Sequence, residues 1–305
     1  MPPEFTVGEL LRLATDRLHA TGSDSARLDA ELLLAHAVGV DRTGLITYPD
    51  APVGEGARES FEAAVSRRER GEPVAYIRGF REFHGLAFAT DGRALIPRPE
   101  TEHLVDAAVD EIAARLASAP RGHAAPALRI ADVGTGTGAI AVSLLAALRR
   151  RKMADEVLVI AIDVSEDALQ LARENAVGHG VADRIVFMAA DLLPYHVDPP
   201  YSVVCANLPY VPSGDLPTLA RELSYEPALA LDGGPDGLDV VRRLLDALPR
   251  TLAPDGVAFL EIGAGHGEAI AHEVAERLPG WRCRVTNDLA GLPRLARVEP
   301  GDAWA

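Results

Sequence analysis

The sequence predicts an α/β protein: a mostly parallel sheet covered by helices, with a small all-helical block and a β-hairpin linker in front of it. Three observations carry this reading. From about residue 127, short apolar runs alternate with amphipathic stretches, the pattern of strands wrapped by helices. Before residue 72 the apolar residues recur at helical spacing instead. Between the first apolar run and the helix that follows it stands a glycine-rich turn, Gly134-Thr135-Gly136-Thr137-Gly138, as in folds that hold a ligand at the edge of a sheet.

The chain of 305 residues exceeds most single compact domains, so two are expected. The boundaries read as a helical domain over 1–72, a hairpin linker over 73–99 and an α/β domain over 100–305. Apolar residues at 48% and charged residues at 25% are ordinary for a soluble globular protein. No apolar run approaches the ~20 residues of a membrane span. Met1-Pro-Pro-Glu-Phe5 lacks the basic start and apolar core of a signal peptide. The two cysteines, Cys205 and Cys283, form no CxxC or disulfide framework. A cytoplasmic monomer with no membrane contact is expected. A net charge of -15 argues against stable nucleic-acid binding, which needs a basic footprint, and suits a basic protein partner better.

Along the helical block, Thr6-Val-Gly-Glu9 is a capping-box pattern, and Leu10, Ala14 and Leu18 follow on one face. A second helix is expected from Ser25 to Val38, with Leu28, Leu32 and Ala35 inward and Gly39 as its stop. A short third element over 41–48 and a helix from about Gly56 to Arg70 complete the block. The alternation from Tyr76 to Phe83, the turn residues His84-Gly85 and then Leu86-Ala-Phe88 predict a hairpin. Pro97-Arg98-Pro99 leads stiffly into a helix near Glu100, and Pro120 to Pro126 reads as a loop. Strands are expected at Leu128–Val133, Glu156–Ile162, Ile185–Ala189, Val203–Ala206, Val257–Ile262 and Arg282–Thr286, with a last one near Leu295–Val298.

Three strands in succession end in an acid, at Asp132, Asp163 and Asp191. The first precedes the glycine turn, which is G-x-G-x-G rather than the dinucleotide G-x-G-x-x-G and lacks the Lys-Ser/Thr of a phosphate loop. The helix start behind it favours the carboxylate of an amino-acid-like cofactor. Asp163 suits the two hydroxyls of a ribose. Asp191 suits the exocyclic amine of adenine, with Leu192 against the ring. A helix N-cap is the competing explanation for each acid alone; together they point to S-adenosylmethionine.

The apolar run Tyr201-Ser-Val-Val-Cys-Ala206 stops at Asn207-Leu208-Pro209-Tyr210. The Asn207 oxygen accepts from an NH₂ group. Pro209 restrains Leu208 toward extended geometry, and Tyr210 offers a flat face for a planar group. A second glycine-rich stretch, Glu261-Ile-Gly263-Ala-Gly265-His-Gly267, competes with the first but reads as a turn and a helix start. None of the nine histidines falls in a ligand spacing, and neither a zinc motif nor a G-x-S-x-G elbow is present, so no metal is expected.

On these pieces the chain resembles the Rossmann-like class I methyltransferases, and more closely the bacterial peptide chain release factor N(5)-glutamine methyltransferases. The matching residues are Gly79-Phe80-Arg-Glu-Phe83, Leu95-Ile-Pro-Arg98-Pro-Glu100-Thr101, Asp132 to Gly138, Asn207 to Tyr210 and Glu226-Pro-Ala-Leu-Ala-Leu231. The resemblance implies methylation of the glutamine in the Gly-Gly-Gln motif of class I release factors, with S-adenosylmethionine as donor. It places Asn207, Leu208, Pro209 and Tyr210 in catalysis. Asp132, Gly134, Thr135, Gly136, Thr137, Gly138, Asp163, Asp191, Leu192 and Asn207 would meet the cofactor. Arg98, Glu100 and Thr101 would close over cofactor or substrate, a proline-capped helix start being the competing explanation. The family's tetrad is Asn-Pro-Pro-Tyr; here Leu208 holds the second place, where the family uses a backbone carbonyl. The N-terminal helices would dock a second surface of the release factor.

Other readings stay open at this point. A glutamine methyltransferase acting on a ribosomal protein shares the tetrad and the glycine turn. An amino-methyltransferase of DNA or RNA bases uses a similar socket, though the acidity counts against it. A non-enzymatic adaptor is opposed by the intact Asn207, Tyr210 and Asp163.

Overall fold

In the computed structural model, residues 5–118 and 127–301 are described. The signal-peptide reading of the first residues and the loop reading of Pro120 to Pro126 fall largely outside them. The chain divides into two compact units. One comprises residues up to Phe80 together with 220–225, and the other comprises Arg81–Leu219 and Glu226 onward.

The first unit holds α1 (Val7–Ala20), α2 (Ala26–Val38), α3 (Arg42–Thr47), α4 (Glu55–Glu69) and α5 (Val74–Arg78). The capping box forms as expected: Thr6 accepts from the Glu9 amide and the Glu9 carboxylate accepts from the Thr6 amide. Leu10, Leu11, Leu18, Leu33, Leu34, Phe61 and Val65 make the core. The face of α2 differs from expectation. Leu28 is 42% exposed, while the acids Asp29 and Glu31 are buried. Both acids are paired, Asp29 with Arg68 at 2.8 Å and Glu31 with Arg27 and Arg42. A buried charge is tolerated when it is paired and hydrogen-bonded, and Arg68 comes from a helix distant in sequence.

A second correction concerns Tyr76 to Arg78, which belong to α5 and not to a strand. Pro73 opens that turn of helix and Gly79, at φ 79°, closes it in the left-handed region. The hairpin proper is β1 (Phe80–Phe83) and β2 (Leu86–Ala89), turning on His84-Gly85.

The second unit follows with α6 (Glu102–Ser118), β3 (Leu128–Val133), α7 (Ala139–Arg150), β4 (Val157–Asp163), α8 (Glu166–Gly178), β5 (Ile185–Ala189) and β6 (Tyr201–Ala206). It ends with α9 (Asp239–Thr251), β7 (Leu252–Glu261), α10 (Gly267–Arg277), β8 (Trp281–Asn287) and β9 (Pro293–Pro300). Its seven-stranded sheet runs β5-β4-β3-β6-β7-β9-β8. The first five strands are parallel, and β9 is antiparallel to both neighbours, so the end of the sheet departs from the parallel expectation. Alternate residues of the central strands feed two cores. Ile130, Val159 and Cys205 face one with Leu104 of α6 and Leu144 of α7. Ala131, Ile160 and Val204 face the other with Leu244 of α9 and Ile270 of α10. Among the described residues no helix is long and apolar enough to cross a membrane.

Strand order reverses at β3, whose neighbours are β4 on one side and β6 on the other. Chains leaving β3 and β6 at their carboxyl ends therefore part company, and the crevice between them is where open α/β sheets bind ligands.

Candidate active site

The loop after β3 is pinned from below. The amides of Gly134 and Thr135 both donate to the Ile162 carbonyl at 2.9 Å, and that of Gly136 donates to Asp163 Oδ2 at 2.9 Å. Gly134 sits at φ 72°, a backbone that side chains rarely adopt, and a Cβ there would meet Leu208 Cδ2 at 3.1 Å. Asp132 acts behind the loop. It is 1% exposed, and its Oδ2 accepts from the Thr135 hydroxyl at 2.6 Å and the Ala141 amide at 3.1 Å. Burial pushes its pKa up to about 6, against the pull of those two donors.

These loops enclose a cavity of about 250 Å³ at the switch point. Gly134, Thr135, Gly136, Thr137, Asp163, Asp191, Leu192, Asn207, Leu208, Pro209, Arg98 and Thr101 all line it. Four expected site residues are not in the lining. Asp132 holds the glycine loop as above. Gly138 is the N-cap of α7, where a Cβ would strike Ala172 of α8, so its smallness serves helix packing. Glu100 lies in the helical turn ahead of α6. Tyr210 stands behind Pro209, its ring edge-on to His266 with centroids 6.5 Å apart. Burial raises its hydroxyl pKa.

At the cavity wall Asp163 accepts from the Ser165 amide as well as from Gly136, which leaves lone pairs on both oxygens for a ligand. Asp191 is paired with Arg243, which also lines the cavity. Leu192 holds φ 63°, an uncommon geometry for leucine that sets its side chain at the wall.

The tetrad leaves β6 at its tip. The Asn207 side-chain nitrogen donates to Thr101 Oγ1 at 3.0 Å, so its oxygen is left as the free acceptor. Leu208 is 5% exposed, with its side chain laid on Gly134. Arg98 is tied to Glu226, whose other oxygen accepts from the Ile96 amide at 2.9 Å. This clip holds the strap 94–101 against the segment from Pro227 to Asp232.

Sequence reasoning missed Glu226 as a clip, and it read Glu261 only as the start of a turn, not as a residue of the site. Glu261 ends β7, is 2% exposed, and burial pushes its pKa up to about 7. The signal was present, since Glu261 is one more acid closing a strand.

The site fits the expected cofactor on its own geometry. Gly134 holds a left-handed backbone at φ 72° that brings the loop edge to the cavity, Asp163 keeps unused acceptor capacity, and Leu192 and Ile140 supply apolar wall. A methyltransferase of the S-adenosylmethionine-dependent, Rossmann-like class is the type of protein this fold and cleft define. Residues 130–225 match the methyltransferase domain family, and residues 9–79 match the PrmC N-terminal domain. The chain is 37% identical to the release factor glutamine methyltransferase of Rhodopirellula baltica over 97% of its own length and 96% of the relative's. It is 40% identical to that of Cereibacter sphaeroides, over 94% and 96% of the two chains. Among solved structures, the hMettl16 catalytic domain, in complex with a 3'UTR hairpin, superposes with TM-score 0.53 at 14% identity over 80% of this chain and 81% of that one, a likeness of fold. The chain belongs to the release factor glutamine methyltransferase family.

Proposed function

We propose that this protein methylates the side-chain amide nitrogen of the glutamine in the Gly-Gly-Gln motif of class I release factors, in the cytoplasm, as a monomer and without stable nucleic-acid binding. The observation that carries the reading is the Asn207–Thr101 hydrogen bond, because it presents the asparagine oxygen as an acceptor beside the cofactor cleft. An amide nitrogen is a poor nucleophile, its lone pair being delocalised into the carbonyl. The Asn207 oxygen and the Leu208 carbonyl would each accept one N–H of the substrate amide. Both bonds strengthen as positive charge grows on that nitrogen, so they stabilise the transition state more than the ground state.

The bound cofactor supplies an electrophilic methyl on a sulfonium. Asp163 would hold its ribose, and Asp191 and Leu192 its adenine, with Gly134 to Thr137 admitting the amino-acid end. Tyr210 would limit the approach of the amide from one side. Holding the reactants in line is itself worth several kcal/mol. Arg98 and Thr101 would border both ligands. The N-terminal helices, residues 1–72, would dock the release factor, with 73–99 as linker to the catalytic domain.

The test is incubation with radiolabelled donor and purified release factor, ribosomal proteins or nucleic acid in parallel. Label on the release factor glutamine supports the reading, whereas label confined to nucleic acid or ribosomal protein overturns it.

A further inference from the structure

The parallel register of β6 and β7 pairs Ala206 with Leu260, so Asn207, just past the end of β6, comes beside Glu261, the last residue of β7. Glu261 is almost fully buried, and among the described residues neither carboxylate oxygen meets a donor in good geometry. Burying such a group without a partner is destabilising, which makes it a candidate for a functional role. The Thr101 hydroxyl lies close enough to favour its charged form. That hydroxyl accepts from the Asn207 amide, which leaves its own hydrogen to donate to another acceptor.

We propose that Glu261 is a positioning residue for methyl transfer: through Thr101 it fixes the orientation of the Asn207 amide and keeps the asparagine oxygen turned toward the substrate. The inference rests on the methyl-transfer reading above. In the proposed relay the Asn207 N–H donates to the Thr101 oxygen, as observed, and the Thr101 O–H turns to the Glu261 carboxylate close by. A negative charge at its end polarises both hydrogen bonds and makes the Asn207 oxygen a stronger acceptor. The charged groups facing Glu261 are Arg98 and Glu100 from the turn before α6, Arg294 of β9, itself tied to Asp288, and Tyr210 of the tetrad with His266 behind it. Protonation of Glu261 weakens the relay, so kcat rises with pH as this carboxyl ionises across neutrality.

The experiment uses the full chain with unmethylated release factor. Glu261→Gln should lower kcat about tenfold, leave KM for the release factor and calorimetric donor affinity unchanged, and flatten the acid limb of the kcat profile. Thr101→Val should do the same, and the double variant should be no worse than either, while Thr101→Ser keeps activity. Independently of substrate, the Asn207 side-chain NH₂ resonances should titrate across neutral pH in the parent protein and not in Glu261→Gln. A Glu261→Gln enzyme with parental kcat and pH profile overturns the proposal. So do Asn207 resonances that titrate equally in both proteins. A parent enzyme that labels no release factor removes the functional reading instead, and the NMR titration then decides the relay alone.

Discussion

The Asn207 side-chain nitrogen donates to Thr101 Oγ1 at 3.0 Å, joining the tip of β6 to the turn that opens α6. One hydrogen bond thereby links two segments far apart in sequence and settles which end of the asparagine amide faces the cleft. Replacing Asn207 with alanine removes that acceptor. We expect kcat to fall about a hundredfold to a thousandfold, the usual loss for one transition-state hydrogen-bonding group. Donor binding by calorimetry should stay within a few-fold of the parent. Turnover that survives would refute the amide grip.

Asp132 holds the glycine loop from behind and, on the proposed reading, would act on the cofactor at one remove. In Asp132→Ala the Thr135 hydroxyl and the Ala141 amide lose their acceptor in a buried place, at about 1–3 kcal/mol each. Donor affinity should fall at least about tenfold as the glycine loop loosens, a factor that corresponds to about 1.4 kcal/mol. KM for the release factor should be unchanged.

Leu208 packs on Gly134, and its side chain has no polar part to play. Leu208→Ala should lower unfolding stability by about 2–3 kcal/mol through the cavity it leaves, while kcat changes little because the backbone carbonyl remains. Gly134→Ala should be worse for donor binding. It combines φ 72° with a Cβ only 3.1 Å from Leu208. Paired denaturation and calorimetry on the two variants would separate these outcomes.

Glu226 is the buried half of its pair with Arg98. Glu226→Ala strands the partly exposed guanidinium and frees the Ile96 amide, and should cost about 3 kcal/mol of stability. Because the strap 94–101 borders the cleft, donor affinity should fall with it. Unaltered affinity would show that the strap needs no clip.

The stability of the protein should decline with rising pH because of Glu261. Its carboxyl is raised to about 7 in the fold from an ordinary 4.5, so between those values the native state keeps a proton that the unfolded chain has lost. Stability therefore falls as pH rises through that window and levels off above it, by up to about 3 kcal/mol at about 1.4 kcal/mol per pKa unit. Asp132, raised to about 6, adds a loss in the same direction over a lower range. Glu261→Gln should accordingly melt higher than the parent at pH values above both ranges, while turning over more slowly. Equal melting curves for the two proteins at alkaline pH would contradict the buried charge.

Local patterns made the alternation of strands and helices legible, since each depends on residues close in sequence. The same holds for the capping box at Thr6, the glycine loop and the acids that close β4 and the strand-like run ahead of Asp191. One expectation failed on a partner distant in sequence, the other on the residues that frame a short segment. Asp29 and Glu31 turn inward because Arg68 and Arg42 meet them, which displaces Leu28 to the surface. Tyr76 to Arg78 alternate as a strand does, yet Pro73 and Gly79 frame a single helical stretch.

By itself the sequence determined the class of sheet, the cofactor loop and the tetrad, because strand periodicity, glycine conformation and the restraint of Pro209 on Leu208 are properties of adjacent residues. Tertiary structure alone decided that Asn207 is oriented by Thr101 and that Glu226 ties down Arg98 and the Ile96 amide. It also placed Glu261 beside Asn207 and ran β9 antiparallel into the end of the sheet. Those arrangements depend on strand order and burial, which bring residues a hundred positions apart within hydrogen-bonding distance and raise the pKa of acids that look ordinary in the chain.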